Sequence, residues 1–239
     1  MRTGRALWPV VEALRDPCAL REELGEDDGP YARLRAGGDG PQIGELRRFQ
    51  GQGIEYLLHL ALGRGDDLDA AMLVVFTDVD SSVPHLVVDA ARIGAQFALF
   101  ADLVPRVDLV EDPGYLARVY TPLTEHREAL QSRHDMKPRP VPMSLAPYVS
   151  PWMCGLNCGD EQLNNVATLY QPYVDHWRSL LAAPPECRAD PAALRARDRH
   201  HRRTMYRPEA DPVWAVLGNL LGQRDANRVM AMMHGHEAG

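Results

Sequence analysis

The chain has 239 residues, 45% of them hydrophobic and 25% charged, with a formal net charge of −7. That is the balance of a globular protein able to bury a sizeable core without disulfide or metal staples, and the negative charge argues against general nucleic-acid binding. No apolar run approaches the ~20 residues of a membrane helix, and the opening MRTGRALWPVV lacks the apolar stretch of a signal peptide, so a cytoplasmic protein with no membrane partner is expected.

Asp-Pro pairs punctuate the sequence at Asp16-Pro17, Asp112-Pro113, Asp190-Pro191 and Asp211-Pro212. Aspartate accepts orphan backbone N–H groups and proline suits the first helical turn, so each pair predicts a helix start. The first helix is expected over 17–24, closed by Gly25. Between 42 and 104 come short apolar runs such as IEYLLHLAL, AAMLVVFT, PHLVVDA and AQFALFADLV. They read as sequential strands, and tight links such as Arg92-Ile93-Gly94 favour antiparallel neighbours. Helices are then expected over 112–131, 160–182, 191–205 and 212–233, the last broken near Gly222, with a Pro-rich surface loop over 133–147. The sum is an α+β protein: a single domain over 1–239, built as an α/β/α sandwich whose central antiparallel sheet, mainly 42–104, has helices on both faces.

Within PHLVVDA, alternation puts His85, Val87 and Asp89 on one face and Leu86, Val88 and Ala90 on the other. Asp89 either faces water on a half-exposed strand or is buried, at a cost that a partner or a bound proton must offset. His85, near the strand start, reads as an ordinary structural or exposed histidine rather than a functional one. The segment LRARDRHHRRTMYR gathers Arg195, Arg197, Arg199, Arg202, Arg203 and Arg207 around one acid, Asp198. It is either a solvated helix face on which Asp198 pairs with Arg202 at i,i+4, or a cationic surface for a phosphate, a carboxylated ligand or an acidic protein. Asp78, Asp80, Asp102 and Asp108 sit at strand ends or turns, where Asp is common for local reasons. Cys154 and Cys158 have no second Cys/His pair at zinc-like spacing, so no metal site is expected and they read as small residues at a turn. No GxGxxG, Walker, GxSxG or HExxH motif occurs.

The stretch VPHLVVDAARIGAQFALFADLVPRVDLVEDPGYLARVY resembles the central block of red chlorophyll catabolite reductases, and APYVSPWMC resembles their Pro-Tyr-Val-Ser-Pro segment. RARDRHHRRTMYR followed by WAVLGNLLGQRDANRVMAMM resembles the C-terminal signature that they share with ferredoxin-dependent bilin reductases. These blocks keep their order over residues 70–235. The chain is thereby identified as a bacterial member of this family. The resemblance implies an antiparallel sheet between helical layers, no bound flavin or metal, and reduced ferredoxin as a partner delivering single electrons to a linear tetrapyrrole. It implies Asp89 and Asp198 as the acids that protonate radical intermediates, with His85, His59, Arg202 and Arg203 as candidate residues holding the substrate and the Arg cluster either binding propionates or docking an acidic ferredoxin. Two departures leave the substrate open. The chlorophyll-catabolite enzymes typically carry Glu where Asp89 stands, and MLVVF lacks the histidine of one type of bilin reductase. Reduction of another conjugated heterocycle, or non-catalytic binding of a tetrapyrrole, are the alternatives.

Overall fold

The computed structural model, which describes residues 1–25 and 27–235, opens with a helix where the sequence predicts none. Leu7, Val10, Val11 and Leu14 recur at three- and four-residue spacing and are all buried, which draws Arg2–Arg15 (α1) into a helix against the sheet. Asp16 therefore closes a helix as the C-cap of α1. In place of the helix expected over 17–24 stand a turn and a short strand, Arg21–Glu23 (β1).

Ala32–Arg35 (β2) precedes the long strands Gln42–Gly51 (β3), Ile54–Arg64 (β4), Leu68–Thr77 (β5), His85–Ile93 (β6) and Gln96–Val104 (β7). From β3 to β7, consecutive strands pair antiparallel, as their short links predict. At the β6–β7 hairpin Ile93 pairs with Gln96, and Gly94 supplies the positive φ of 60° that the two-residue loop requires. The helix predicted over 112–131 is split at Pro122 into Pro113–Val119 (α2) and Thr124–Gln131 (α3). Lys137–Pro138 (β8) interrupts the Pro-rich loop. Cys154–Cys158 (β9) then returns to the sheet and pairs with β7 from Ala101↔Cys154 to Phe97↔Cys158. Cys154 and Cys158 are thus buried strand residues, not a turn.

Asp160–Asn164 (α4), Val166–Leu169 (α5) and Gln171–Ala182 (α6) break the helix predicted over 160–182 into pieces. Pro191–Met205 (α7) starts as predicted at Asp190, whose carboxylate accepts the Ala193 N–H. Val213–Leu221 (α8) and Gln223–Met233 (α9) part at Gly222, which has φ 75° and sits so close to Gly37 that an added Cβ would lie 2.7 Å from its carbonyl carbon.

The sheet runs β1-β3-β4-β5-β6-β7-β9-β8, with β2 also paired to β3. Leu86, Val88 and Ala90 of β6 face a core shared with α1, α2 and α6, where Trp177 is wholly buried. Leu58, Leu60, Val74 and Phe76 face the opposite core, built with Trp214, Leu217, Val229 and Met233 of α8 and α9. This is the expected α/β/α sandwich. Each fully buried Leu or Val contributes about 1.5–3 kcal/mol; Leu86, Val88 and Ala90 are wholly buried, while Val87 and Asp89 on the other face are partly buried. A polar side chain on β6 must therefore meet a partner or a cavity. Among the described residues, no helix is long and apolar enough to cross a membrane.

Candidate active site

Asp89 lies near the middle of β6, between Met72 on β5 and Phe100 on β7. Over it is a cavity of about 270 Å³. Leu60, Met72, Ala98 and Phe100 form its sheet wall, Trp214 and Leu217 its α8 wall, and Pro142, Leu145 and Met153, from the segment between β8 and β9, its cover. A smaller chamber of about 50 Å³ continues past Asp89 towards Val87, Asp102 and Tyr206. The walls are almost entirely apolar, and the polar groups are few and convergent, as in a site for a small organic ligand.

Those polar groups are mostly acids. Burial among apolar neighbours pushes the Asp89 carboxyl up to about 8; the nearby Asp211 charge adds to this and Arg139 opposes it. Asp211 comes from the turn before α8. Its carboxylate accepts the Val213 N–H at 3.0 Å, and burial raises its pKa as well. Asp102, opposite Val87 in the β6–β7 ladder, is buried, accepting the Ser150 N–H at 2.8 Å and the Ser150 hydroxyl at 2.5 Å. Burial drives it up to about 7 despite these hydrogen bonds. The Tyr206 hydroxyl is buried at the chamber and has no hydrogen-bond partner among the described residues, so a donor is left for a ligand to use.

Asp102 and Ser150 clamp the cavity's cover to the sheet, and Ser150 Oγ in turn accepts the Trp152 N–H at 3.0 Å. Ser150→Ala is expected to destabilise the protein by about 1–3 kcal/mol, the cost of leaving a buried acceptor short of its partner. Urea unfolding measures this, and an unchanged midpoint would show that the clamp carries no weight.

The residues expected from the sequence separate into different places. Asp89 lines the cavity. His85 shares its face of β6, yet is buried at the strand's start and bound to Asp198, and neither lines the cavity with Asp89. The Thr77 backbone N–H donates to His85 Nδ1 at 3.1 Å, so Nε2 carries the proton and donates to Asp198 Oδ1 at 2.7 Å. Burial and the Arg106 charge hold His85 neutral, down at about 3. Burial alone would raise Asp198, but the His85 hydrogen bond with Arg106 and Arg202 at 3.7 and 3.5 Å holds it well below the usual carboxylate range. Asp198 thus sits in a buried network with His85, Arg106 and Arg202, apart from the Asp89 cavity.

Arg202 is likewise interior and does not line the Asp89 cavity. It pairs with Glu55 at 2.8 Å, donates to the Met233 carbonyl and to the Tyr56 hydroxyl, and lies 3.8 Å from the centroid of the Phe76 ring. Arg203 is exposed on the outer side of α7 and does not line the cavity. Strand alternation places His59 on the other side of the sheet from Asp89. Leu58 and Leu60 point to the α8–α9 core, so His59 points to the opposite face, where it is buried with its ring edge against Trp8 at 5.5 Å. In exchange the structure brings Asp211, Asp102 and Tyr206 to Asp89. Asp211 reads locally as a helix cap and Asp102 as a strand-end residue; the signal available in sequence was the in-phase position of Asp102 in AQFALFADLV, two residue pairs from Asp89 in the hairpin register.

The family model for red chlorophyll catabolite reductase (RCC reductase) matches residues 52–177, more than half of the sequence. The chain belongs to this family of oxidoreductases. The matched stretch includes Asp89, Asp102 and Ser150 and ends before α7 and α8. Among solved structures, the chain is similar to phytochromobilin synthase from tomato in complex with biliverdin, at 16% identity and a TM-score of 0.74, over 97% of this chain and 82% of that one. That likeness extends the shared fold across the C-terminal helices. No curated protein sequence matches the chain.

Proposed function

We propose that the chain reduces an open-chain tetrapyrrole of the bilin or chlorophyll-catabolite kind, held between the sheet and α8, with reduced ferredoxin as the electron source and without flavin or metal. The observation that carries this reading is Asp89, an acid with a raised pKa in an apolar slot, facing a second acid in Asp211. Saturating one conjugated double bond takes two electrons and two protons. Ferredoxin is oxidised by one electron at each of two deliveries, and each added electron makes the pigment more basic. Asp89 gives up one proton and Asp211 the other, and both are refilled from solvent. A neutral carboxylic acid beside the pigment suits this task, because it donates without placing a net charge in the slot. Arg139 at the rim suits a pigment carboxylate, and the Tyr206 hydroxyl suits a pigment acceptor atom.

Anaerobic incubation with biliverdin, ferredoxin and its reductase is expected to bleach or shift the pigment's absorbance. A pigment that binds but never changes would leave a carrier, and a spectrum unaltered by the protein would exclude biliverdin as ligand. Asp211→Asn separates the two acids. It removes one proton donor, so turnover is expected to slow, and because the Asp211 charge raises Asp89, the alkaline limb of the residual rate is expected to move below about 8, as measured by initial rates against pH.

A further inference from the structure

Helix α7 has two sides of opposite character. Its inner side sets Leu194, Asp198, Arg202 and Met205 into the protein. Its outer side exposes Arg197, Arg199, His200 and Arg203, and Arg207 follows just past its end. Because Asp198, the one acid within 191–208, is turned inward, the outer side is basic throughout on a chain whose net charge is −7. Acids bordering it include Asp190 at its N-cap, Asp80, which pairs with Arg195 at 3.4 Å, and Glu209 beyond its C-terminal end. The same helix reaches the cavity: Met205 at its end and Tyr206 after it line the chamber beside Asp89.

We propose that the outer side of α7, centred on Arg197 and Arg199, is the docking surface for an acidic electron-carrier protein. The proposal rests on the electron delivery put forward above and adds where the carrier sits. Three considerations select this surface. A positive face on a negative protein steers an acidic partner to one orientation. A helix is about 10–12 Å thick with its side chains, so a carrier resting on α7 has its redox centre close behind the chamber. Tyr206, which follows the helix and lines the chamber, is in near contact with the rings of Trp214 at 5.4 Å and Phe76 at 6.1 Å. Among the described residues lining the cavity Arg139 is the one cation, and it already donates to Asn157; Lys137 stands two residues before it on β8.

The test is calorimetric titration of a [2Fe–2S] ferredoxin into the whole protein at low ionic strength. Charge reversal in the double variant Arg197→Glu/Arg199→Glu is expected to weaken binding about tenfold or more, and neutralisation in Arg197→Gln/Arg199→Gln by less, with added salt weakening the unaltered protein. Lys137→Glu is expected to bind as the unaltered protein does. Equal affinity in all variants, loss confined to Lys137→Glu, or no binding by the unaltered protein would each overturn the proposal. A parallel biliverdin titration followed by absorbance is expected to be the same for the charge-reversed and unaltered proteins. If the unaltered protein ignores biliverdin yet binds ferredoxin through Arg197 and Arg199, the docking surface stands and the tetrapyrrole reading fails.

Discussion

Asp89→Asn is expected to retain the fold and the affinity for pigment while slowing ferredoxin-driven reduction about 10²- to 10⁴-fold, the usual contribution of a positioned proton donor. The amide has the shape of the acid and keeps a hydrogen-bonding edge towards the cavity, but it has no acidic proton to give. The pH dependence follows from the same group. The donor is the neutral acid, and burial carries its pKa up to about 8, so the rate falls as pH rises through about 8. In Asp89→Asn that limb disappears from any residual activity. A limb that persisted would have to be assigned to another of the cavity's acids. Stability gives an independent readout with a definite sign. Asp89 titrates near 3.8 when unfolded and near 8 when folded, so between these values the folded state binds the extra proton. Its contribution is complete below 3.8 and is lost as pH rises towards about 8. Asparagine does not titrate. The variant should therefore gain on the unaltered protein in thermal melts as the buffer is made more alkaline across that window, and parallel melting curves would show that Asp89 is not held neutral.

What could be read in the sequence divides along physical lines. The strands from β3 to β7 are legible because alternation and short turns are local, and the same alternation assigns the faces of Leu86, Val88 and Ala90 correctly. The Asp112 and Asp190 caps are legible for the same reason, since cap and helix lie within four residues of each other. Asp16-Pro17 fails as a signal because Asp at a helix end resembles Asp at a start, and only the burial of Leu7, Val10, Val11 and Leu14 decides which. β9 was not legible, since a five-residue strand containing glycine and two cysteines becomes a strand only through β7, more than fifty positions earlier. The site follows this division. Asp89 could be placed on a face but not in a cavity, because its cover and its partner acid arrive from residues 139–153 and 211–214. Asp198 drew notice as one acid among arginines, which is as good a description of a buried ion cluster as of a catalytic acid. Its surroundings were not legible, because His85 and Arg106, which close around it, are distant in sequence.

Asp198→Ala is expected to cost about 3–5 kcal/mol of stability, the penalty for removing one partner from a buried charge network. The carboxylate is the counterion of two buried guanidiniums, Arg106 and Arg202, and accepts the His85 Nε2–H. Alanine leaves both cations and an imidazole donor facing each other with nothing between them. Asp198→Asn should cost less, because an amide oxygen still accepts from His85, although the charge is gone. The network also joins distant elements. Arg202 ties α7 to Glu55 on β4 and to the Met233 carbonyl at the end of α9, and Arg106 holds the turn after β7 to Thr77 and the Val79 carbonyl. Its failure should therefore unfold the α7 side of the protein cooperatively. Acid is expected to weaken the unaltered protein in two stages of the same sign. His85 is held neutral, down to about 3 from an ordinary 6.5, so the unfolded chain takes up its proton first and stability falls as pH drops below 6.5. Asp198 is depressed from 3.8, so its contribution is present above that value and is lost on going below it. Denaturant titrations at a series of pH values would resolve the stages, and His85→Gln should abolish the first. If Asp198→Ala instead kept full stability and lost only turnover, the network would be dispensable to the fold and Asp198 would return to the reaction.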